Sequence, residues 1–414
     1  MNISYNIREF VLVSLIYTSL ILSTSYHTAT TPPDDTFEPA AYHVATSAED
    51  DGNPIFAEHF SDFAIIYKKF FNDGWTDNFH PRVMTGMNDL WKSSGTWGDS
   101  GYYLIHTGYY AGLIERPDDD IPNQNKTHTV YKYRWMVPFL VGNIYKSINY
   151  LNISEGQIYD QWNNKSISRL VYIWLCINFI AIFLTSLILF YYLKNIFKFT
   201  PLISLIGGIF FITSLIIVRT SNFPMSEPFA CLITIILFFT LYYKKYFYYI
   251  CVSFIGIASR DIFLFSSVLL FFNINFKDKQ DLLRGILLSA LPAIFYLFQR
   301  FYLNESISFE ITMGRDLLKD PFVIQGLVIF TNIDNFIYFI LRLSLTFGVL
   351  WLGIYHIRRN NFLFKSSTAI LFLILINLLF VGNGSGITRH VGVMFPIIIP
   401  LFLYFIQDQL NFKG

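Results

Sequence analysis

The feature that most constrains this chain is a series of long apolar runs after Ser168, each bounded by charged residues. The runs are about 16 to 25 residues long, and a helix of roughly 20 apolar residues crosses the hydrocarbon core of a bilayer. Hydrophobic residues make up 53% of the 414 and charged residues only 14%, which places the chain among membrane proteins. The net charge of +1 averages over unlike regions and points to no nucleic-acid partner. Cys176, Cys231 and Cys251 all fall inside apolar runs. The long polar loop therefore has neither a disulfide framework nor a cysteine metal site.

The charges at the ends of the runs sort into two sets. One holds plain basic clusters: Lys194 and Lys198, Lys244 and Lys245, Lys277 and Lys279, Arg358 and Arg359. The other holds Arg219, Glu227, Arg260, Asp261, Arg389 and His390, beside a loop carrying Asp99 and Arg134. The first set reads as cytoplasmic anchoring under the positive-inside rule, the second as an active site on the far face. With the N-terminus inside, the runs predict spans over 10–23, 170–193, 201–218, 228–243, 246–259, 262–276, 283–298, 336–357, 366–381 and 391–406. These are about ten transmembrane helices, and every basic cluster lands on one side. The first segment also resembles a signal-peptide core, so anchor and signal peptide are both open readings. Arg260 and Asp261 sit at the midpoint of an apolar stretch, 246–276. A single span would bury both at roughly 2.5–3.5 kcal/mol each, so two short helices meeting at a polar face are expected.

The fold class expected is an all-α integral membrane protein with amphipathic interfacial helices in a long first external loop. Its parts are an N-terminal transmembrane anchor over 1–25, an external polar cap region over 26–97, the first external loop over 98–168 and a polytopic transmembrane domain over 169–414. The acidic tract Asp118–Asp120 lacks the ligand spacing of a calcium loop and reads as a solvated turn. Trp135–Tyr150 is expected to lie along the membrane surface: Met136, Phe139, Leu140, Ile144 and Ile148 recur at helical spacing, with Asn143, Lys146 and Asn149 opposite.

The loop's sharper element is Gly98-Asp99-Ser100-Gly101-Tyr102-Tyr103-Leu104. From Tyr102, the residues His106, Tyr109 and Leu113 follow at helical spacing and predict a short amphipathic helix. Asp99 just before it is either an N-cap or a carboxylate presented at the membrane surface between glycines. About thirty-five residues on stands Tyr133-Arg134-Trp135-Met136-Val137-Pro138.

An Asp-x-x-Tyr-Leu element followed by an Arg-x-x-x-Pro element resembles the first external loop of GT-C glycosyltransferases, membrane enzymes that use polyprenyl-phosphate-linked sugars. The resemblance extends to Ser226-Glu227-Pro228-Phe229, to Ser259-Arg260-Asp261, and to Thr388-Arg389-His390 ahead of Phe395-Pro396. It covers most of the chain beyond Gly98, and similar proteins include bacterial cell-surface glycopolymer transferases and mannosyltransferases of lipid-anchor synthesis. Two departures stand out: the polar stretch before Gly98 is longer than usual, and His390 replaces an aromatic.

The resemblance implies inverting transfer of a sugar to an acceptor hydroxyl on a glycan or lipid, with Asp99 as general base. A carboxylate of ordinary pKa near 4 is ionised at neutral pH and takes the proton as the hydroxyl attacks. Guanidinium groups suit the donor phosphate, and Arg134, Arg260 and Arg389 are the candidates. Arg260 pairing with Asp261 or Glu227 merely to fix helix packing is the structural alternative. Tyr102, Tyr103, Tyr109 and Trp135 read equally as sugar-stacking or as an interfacial aromatic belt. His106, Glu227, Asp261 and His390 complete the possible substrate contacts. No cofactor and no catalytic metal are expected. The membrane is a bacterial inner membrane or, in a eukaryote, the endoplasmic reticulum, with the site facing away from the cytoplasm. A polymerase or ligase of lipid-linked glycans is the main rival reading, and a transporter a more distant one.

Overall fold

The computed structural model describes residues 7–30, 103, 106–113, 134–150, 164–221, 224–303, 333–376 and 387–411. Asp99, Tyr102 and nearly all of the polar cap region lie outside the described residues. Every element among the described residues is helical, and there is no strand. That is the outcome apolar surroundings favour, because a helix satisfies its backbone polar groups within one segment.

The helices are α1 (Ile7–Thr30), α2 (Met136–Tyr150), α3 (Asn164–Ile196), α4 (Pro201–Ile212), α5 (Leu215–Thr220), α6 (Glu227–Tyr242) and α7 (Tyr246–Ser259). A short 3-10 turn (Asp261–Leu264) leads into α8 (Phe265–Phe272), followed by α9 (Lys279–Leu303) and α10 (Ile333–Phe347). A 3-10 helix (Gly348–Arg359), α11 (Asn361–Ile376), α12 (Ile387–Gly392) and α13 (Phe395–Asn411) complete the series.

The helices coincide with the apolar runs on which the expectation of about ten spans rests. Among the described residues, three segments are long and apolar enough to cross a membrane: Tyr172–Ile196, Lys279–Gln299 and Phe339–Arg359. Six shorter apolar helices have 10–17 residues, fewer than the roughly 20 of a full crossing. The run over 201–218 is broken because Ser214 takes an extended backbone, while the Thr213 hydroxyl donates back to Ile209 O at 2.9 Å. The run over 336–357 changes from α to 3-10 at Gly348, whose φ of +52° an L side chain resists. The last run starts inside α12 and resumes at Phe395, just past Val393 and Met394.

The core lies where α6 packs between α3 and α7 and where α13 packs on the 3-10 helix and α4. Phe211 and Phe395 meet there with ring centroids 4.5 Å apart. α1 joins this core through buried Val13, Tyr17 and Ile21, and Tyr17 Oη donates to Leu205 O at 3.2 Å. In contrast, Leu283, Leu287, Ile294 and Phe298 of α9 and Ile337, Leu341 and Leu345 of α10 are exposed. Exposed apolar surface of this extent on two long helices suits contact with lipid.

The two charge sets end up at opposite ends of the bundle. At one end Glu9 pairs with Lys194 at 2.6 Å, Arg359 with Asp408 at 2.6 Å, and Arg284 lies 5.3 Å from the Tyr246 ring centroid. At the other end Glu227 opens α6, whose 16 residues span roughly 24 Å to the basic end.

Candidate functional site

Arg260 is placed by a break in the helix. Ser259 ends α7, Arg260 takes an extended backbone at φ −160° and ψ 138°, and the chain reverses into the 3-10 turn at Asp261. The apolar stretch over 246–276 thus splits at its charged midpoint, as the cost of burying an isolated pair of charges in a span would demand. Gly256 permits the reversal, since a Cβ there would stand 2.6 Å from the Phe263 ring.

Arg260 then reaches the start of α6. Its Nη1 lies 2.8 Å from Glu227 Oε1, and both side chains are buried, at 1% and 0% exposure. Arg389, supplied by α12, brings its Nε and Nη2 to the same Oε1. Beside this triad, Arg134 ahead of α2 donates to Asp261 Oδ2 at 3.4 Å. Five charged side chains from separate parts of the sequence, three guanidiniums and two carboxylates, are gathered at one end of the helices. Such a cluster holds an anion more readily than a cation.

Tyr103 closes the cluster from the loop side. Its hydroxyl shares a 2.8 Å hydrogen bond with Ser226 Oγ, one residue before Glu227. Its backbone oxygen accepts from Thr107 Oγ1 at 2.6 Å, and Thr107 Oγ1 in turn accepts from Trp174 Nε1 of α3 at 3.0 Å. This chain of contacts fixes the loop element to both α3 and α6. Thr107 and Trp174 carry no sequence signal for the role: Trp174 lies in an apolar run like any lipid-facing tryptophan.

His390 sits half-buried next to the cluster. Desolvation and the charges of Arg260, Arg389 and Arg134 push its imidazole below the usual histidine range. Among the described residues no group of three or more His, Cys, Asp or Glu side chains is arranged to hold a metal ion.

The structure shows which side of each loop helix packs on protein. Along α2 the buried positions include Val137, Val141, Tyr145 and Asn149, one stripe at i, i+4 spacing, with Pro138 and Gly142 beside it. Of the apolar positions that periodicity selects, Phe139 and Ile148 are exposed and Met136, Leu140 and Ile144 half-buried. The outward side thus carries apolar residues next to Lys146 and Ser147, a mixture that suits a membrane surface. In the loop element, Tyr103, Thr107, Ala111 and Leu113 are buried, whereas His106 and Tyr109 are half-buried. Trp135 is half-buried with its ring 5.8 Å from Phe139 and belongs to this outer aromatic group. The structure therefore unites Arg134, Glu227, Arg260, Asp261, Arg389, His390 and Tyr103, while His106 and Trp135 are half-buried. Asp99 and Tyr102 fall outside the described residues.

No known protein family, no curated protein and no solved structure matches the chain.

Proposed function

We propose that this chain is a membrane glycosyltransferase of the GT-C type, moving a sugar with inversion from a polyprenyl-phosphate donor to an acceptor hydroxyl. The observation that supports it best is the buried arginine–carboxylate cluster at the end of the bundle opposite the basic residues. Buried arginines are costly and serve anion recognition well, because the planar guanidinium offers paired donors to a phosphate. A lipid phosphate reaches that depth because its prenyl chain stays in the membrane beside the helices.

In this reading Arg389 and Arg134 hold the donor phosphate and Arg260 positions Glu227 behind them. The bond from the anomeric carbon to phosphate oxygen breaks as the acceptor oxygen attacks from the opposite face. The acceptor proton passes to the Asp99 carboxylate, and the prenyl phosphate leaves with the bonding pair. Asp99 stands four residues before Tyr103 in the sequence. A chain of that length reaches at most roughly 14 Å from the residue that hydrogen-bonds Ser226. By the positive-inside rule, the basic end faces the cytoplasm and the cluster faces away, on a bacterial inner membrane or an endoplasmic reticulum membrane.

The test is glycosyl transfer or donor hydrolysis by the purified protein in lipid, with a panel of polyprenyl-phosphate sugars and a chelator present. Turnover is expected with at least one donor, reduced by about 10²–10⁴ in Asp99→Asn. Full activity in Asp99→Asn would remove the assignment of the base, and no turnover with any donor would sink the reading.

A further inference from the structure

The Glu227–Arg260 pair carries three buried polar atoms with no hydrogen bond among the described residues: Glu227 Oε2, Arg260 Nε and Arg260 Nη1. Nη1 still faces Glu227 Oε1 at 2.8 Å as an ion pair, and Arg389 approaches that same oxygen. Buried polar atoms are satisfied in the great majority of folded proteins, and each exception calls for an explanation. With Nη1 accounted for by its ion pair, one acceptor, Oε2, and one donor, Nε, are left over on the two side chains.

The chemistry of the two atoms narrows what satisfies them. A carboxylate oxygen only accepts and a guanidinium N–H only donates. An ionised phosphate oxygen satisfies Nε but has no proton for Oε2 and is repelled by the carboxylate. A hydroxyl donates to Oε2 and accepts from Nε at once. We propose that Glu227 and Arg260 form a hydroxyl-binding subsite that reads one hydroxyl of the donor's sugar, which makes Glu227 a specificity-determining residue rather than a base. Arg389 shares the same Glu227 oxygen, so the subsite lies within a sugar ring's reach of the phosphate held there. The inference rests on the glycosyltransferase reading and adds to it the group that is recognised.

Binding in lipid nanodiscs tests it, with mannosyl, glucosyl and galactosyl farnesyl phosphates compared with methyl farnesyl phosphate. All four are phosphodiesters of one negative charge, so they differ in hydroxyls and not in charge. The wild type is expected to bind at least one hexosyl compound about tenfold or more tighter than the methyl compound, since a site built around a hydroxyl discriminates strongly against its absence. In Glu227→Gln, which puts a donor where Oε2 accepts, that preference should fall below about threefold. Single-deoxy versions of the tightest hexosyl compound give a measurement that needs no variant: removal of one particular hydroxyl should cost the wild type most of the preference. Equal binding of every deoxy compound, or an undiminished preference in Glu227→Gln, overturns the subsite while leaving phosphate binding in place. Absence of saturable binding by all four probes removes the glycosyltransferase reading itself, and the subsite with it.

Discussion

Among the described residues Arg260 is the most deeply buried cation. At 1% exposure its charge is out of water, and its coupling to Glu227 at 2.8 Å is what makes that burial tolerable. Removing one partner of a buried pair strands the other, so Glu227→Ala is expected to lower stability by about 3–5 kcal/mol. Asp261→Ala should cost clearly less, because Arg134 meets Asp261 at 3.4 Å and both retain some exposure. Denaturant unfolding in detergent checks this, and equal losses would mean that the Glu227 pair carries no special share. A second prediction concerns the basic end. There Asp408 accepts a hydrogen bond from Arg359 at 2.6 Å, and that bond with the charges of Arg359 and His356 holds its carboxyl below the usual range. A depressed folded-state value means stability that is present at neutral pH and lost as pH falls below about 4. The excess stability of the wild type over Asp408→Asn should therefore vanish on acidification through that range. Glu227, Arg260 and Arg389 stand out in the sequence as charges at the edges of apolar runs. That the two arginines converge on one oxygen of Glu227 does not, because the three residues lie on α6, after α7 and on α12, and no spacing links them.

Element positions follow from the apolar runs, whereas the side of each helix that packs on protein does not. α2 illustrates why. Hydropathy selects Met136, Phe139, Leu140, Ile144 and Ile148 as its apolar side, and in water that side would be buried. In a membrane the most apolar face is free to turn toward lipid, and the face with small and mixed residues packs on protein. Gly142 marks that contact: a Cβ there would lie 2.7 Å from Tyr110 Cβ and 2.8 Å from the Ala111 nitrogen. Gly142→Val should force α2 away from 106–111 and cost about 1–3 kcal/mol. Ile148→Leu on the outward face should stay within about 0.5 kcal/mol, and thermal unfolding of the two variants compares them. The breaks at Ser214, Arg260 and Gly348 show the same limit. Of these only Arg260 is legible beforehand, since a charge in mid-run carries a penalty large enough to predict a break.

At the scale of the whole molecule, the two charge sets are separated by the length of α6 and its neighbours, and this separation is what the proposed orientation in the membrane rests on. A cysteine placed at Lys245 should be labelled only from the cytoplasmic side of sealed vesicles, and one at Arg134 only from the other. Labelling of position 245 from outside would invert the layout. The amino-acid sequence alone determined that the chain forms apolar helices, some long enough to cross a membrane, where they lie, and which charged residues border them. These are local properties, set by run length and by the cost of placing charge in hydrocarbon. Only the tertiary structure decided that Arg260 and Arg389 share one oxygen of Glu227, that Tyr103 is tied to Ser226 and Trp174 to Thr107, and that α2 packs on protein through Val137, Val141, Tyr145 and Asn149. These depend on contacts between residues more than 30 positions apart or on the competition between lipid and protein for one helix face, and neither leaves a trace in local periodicity.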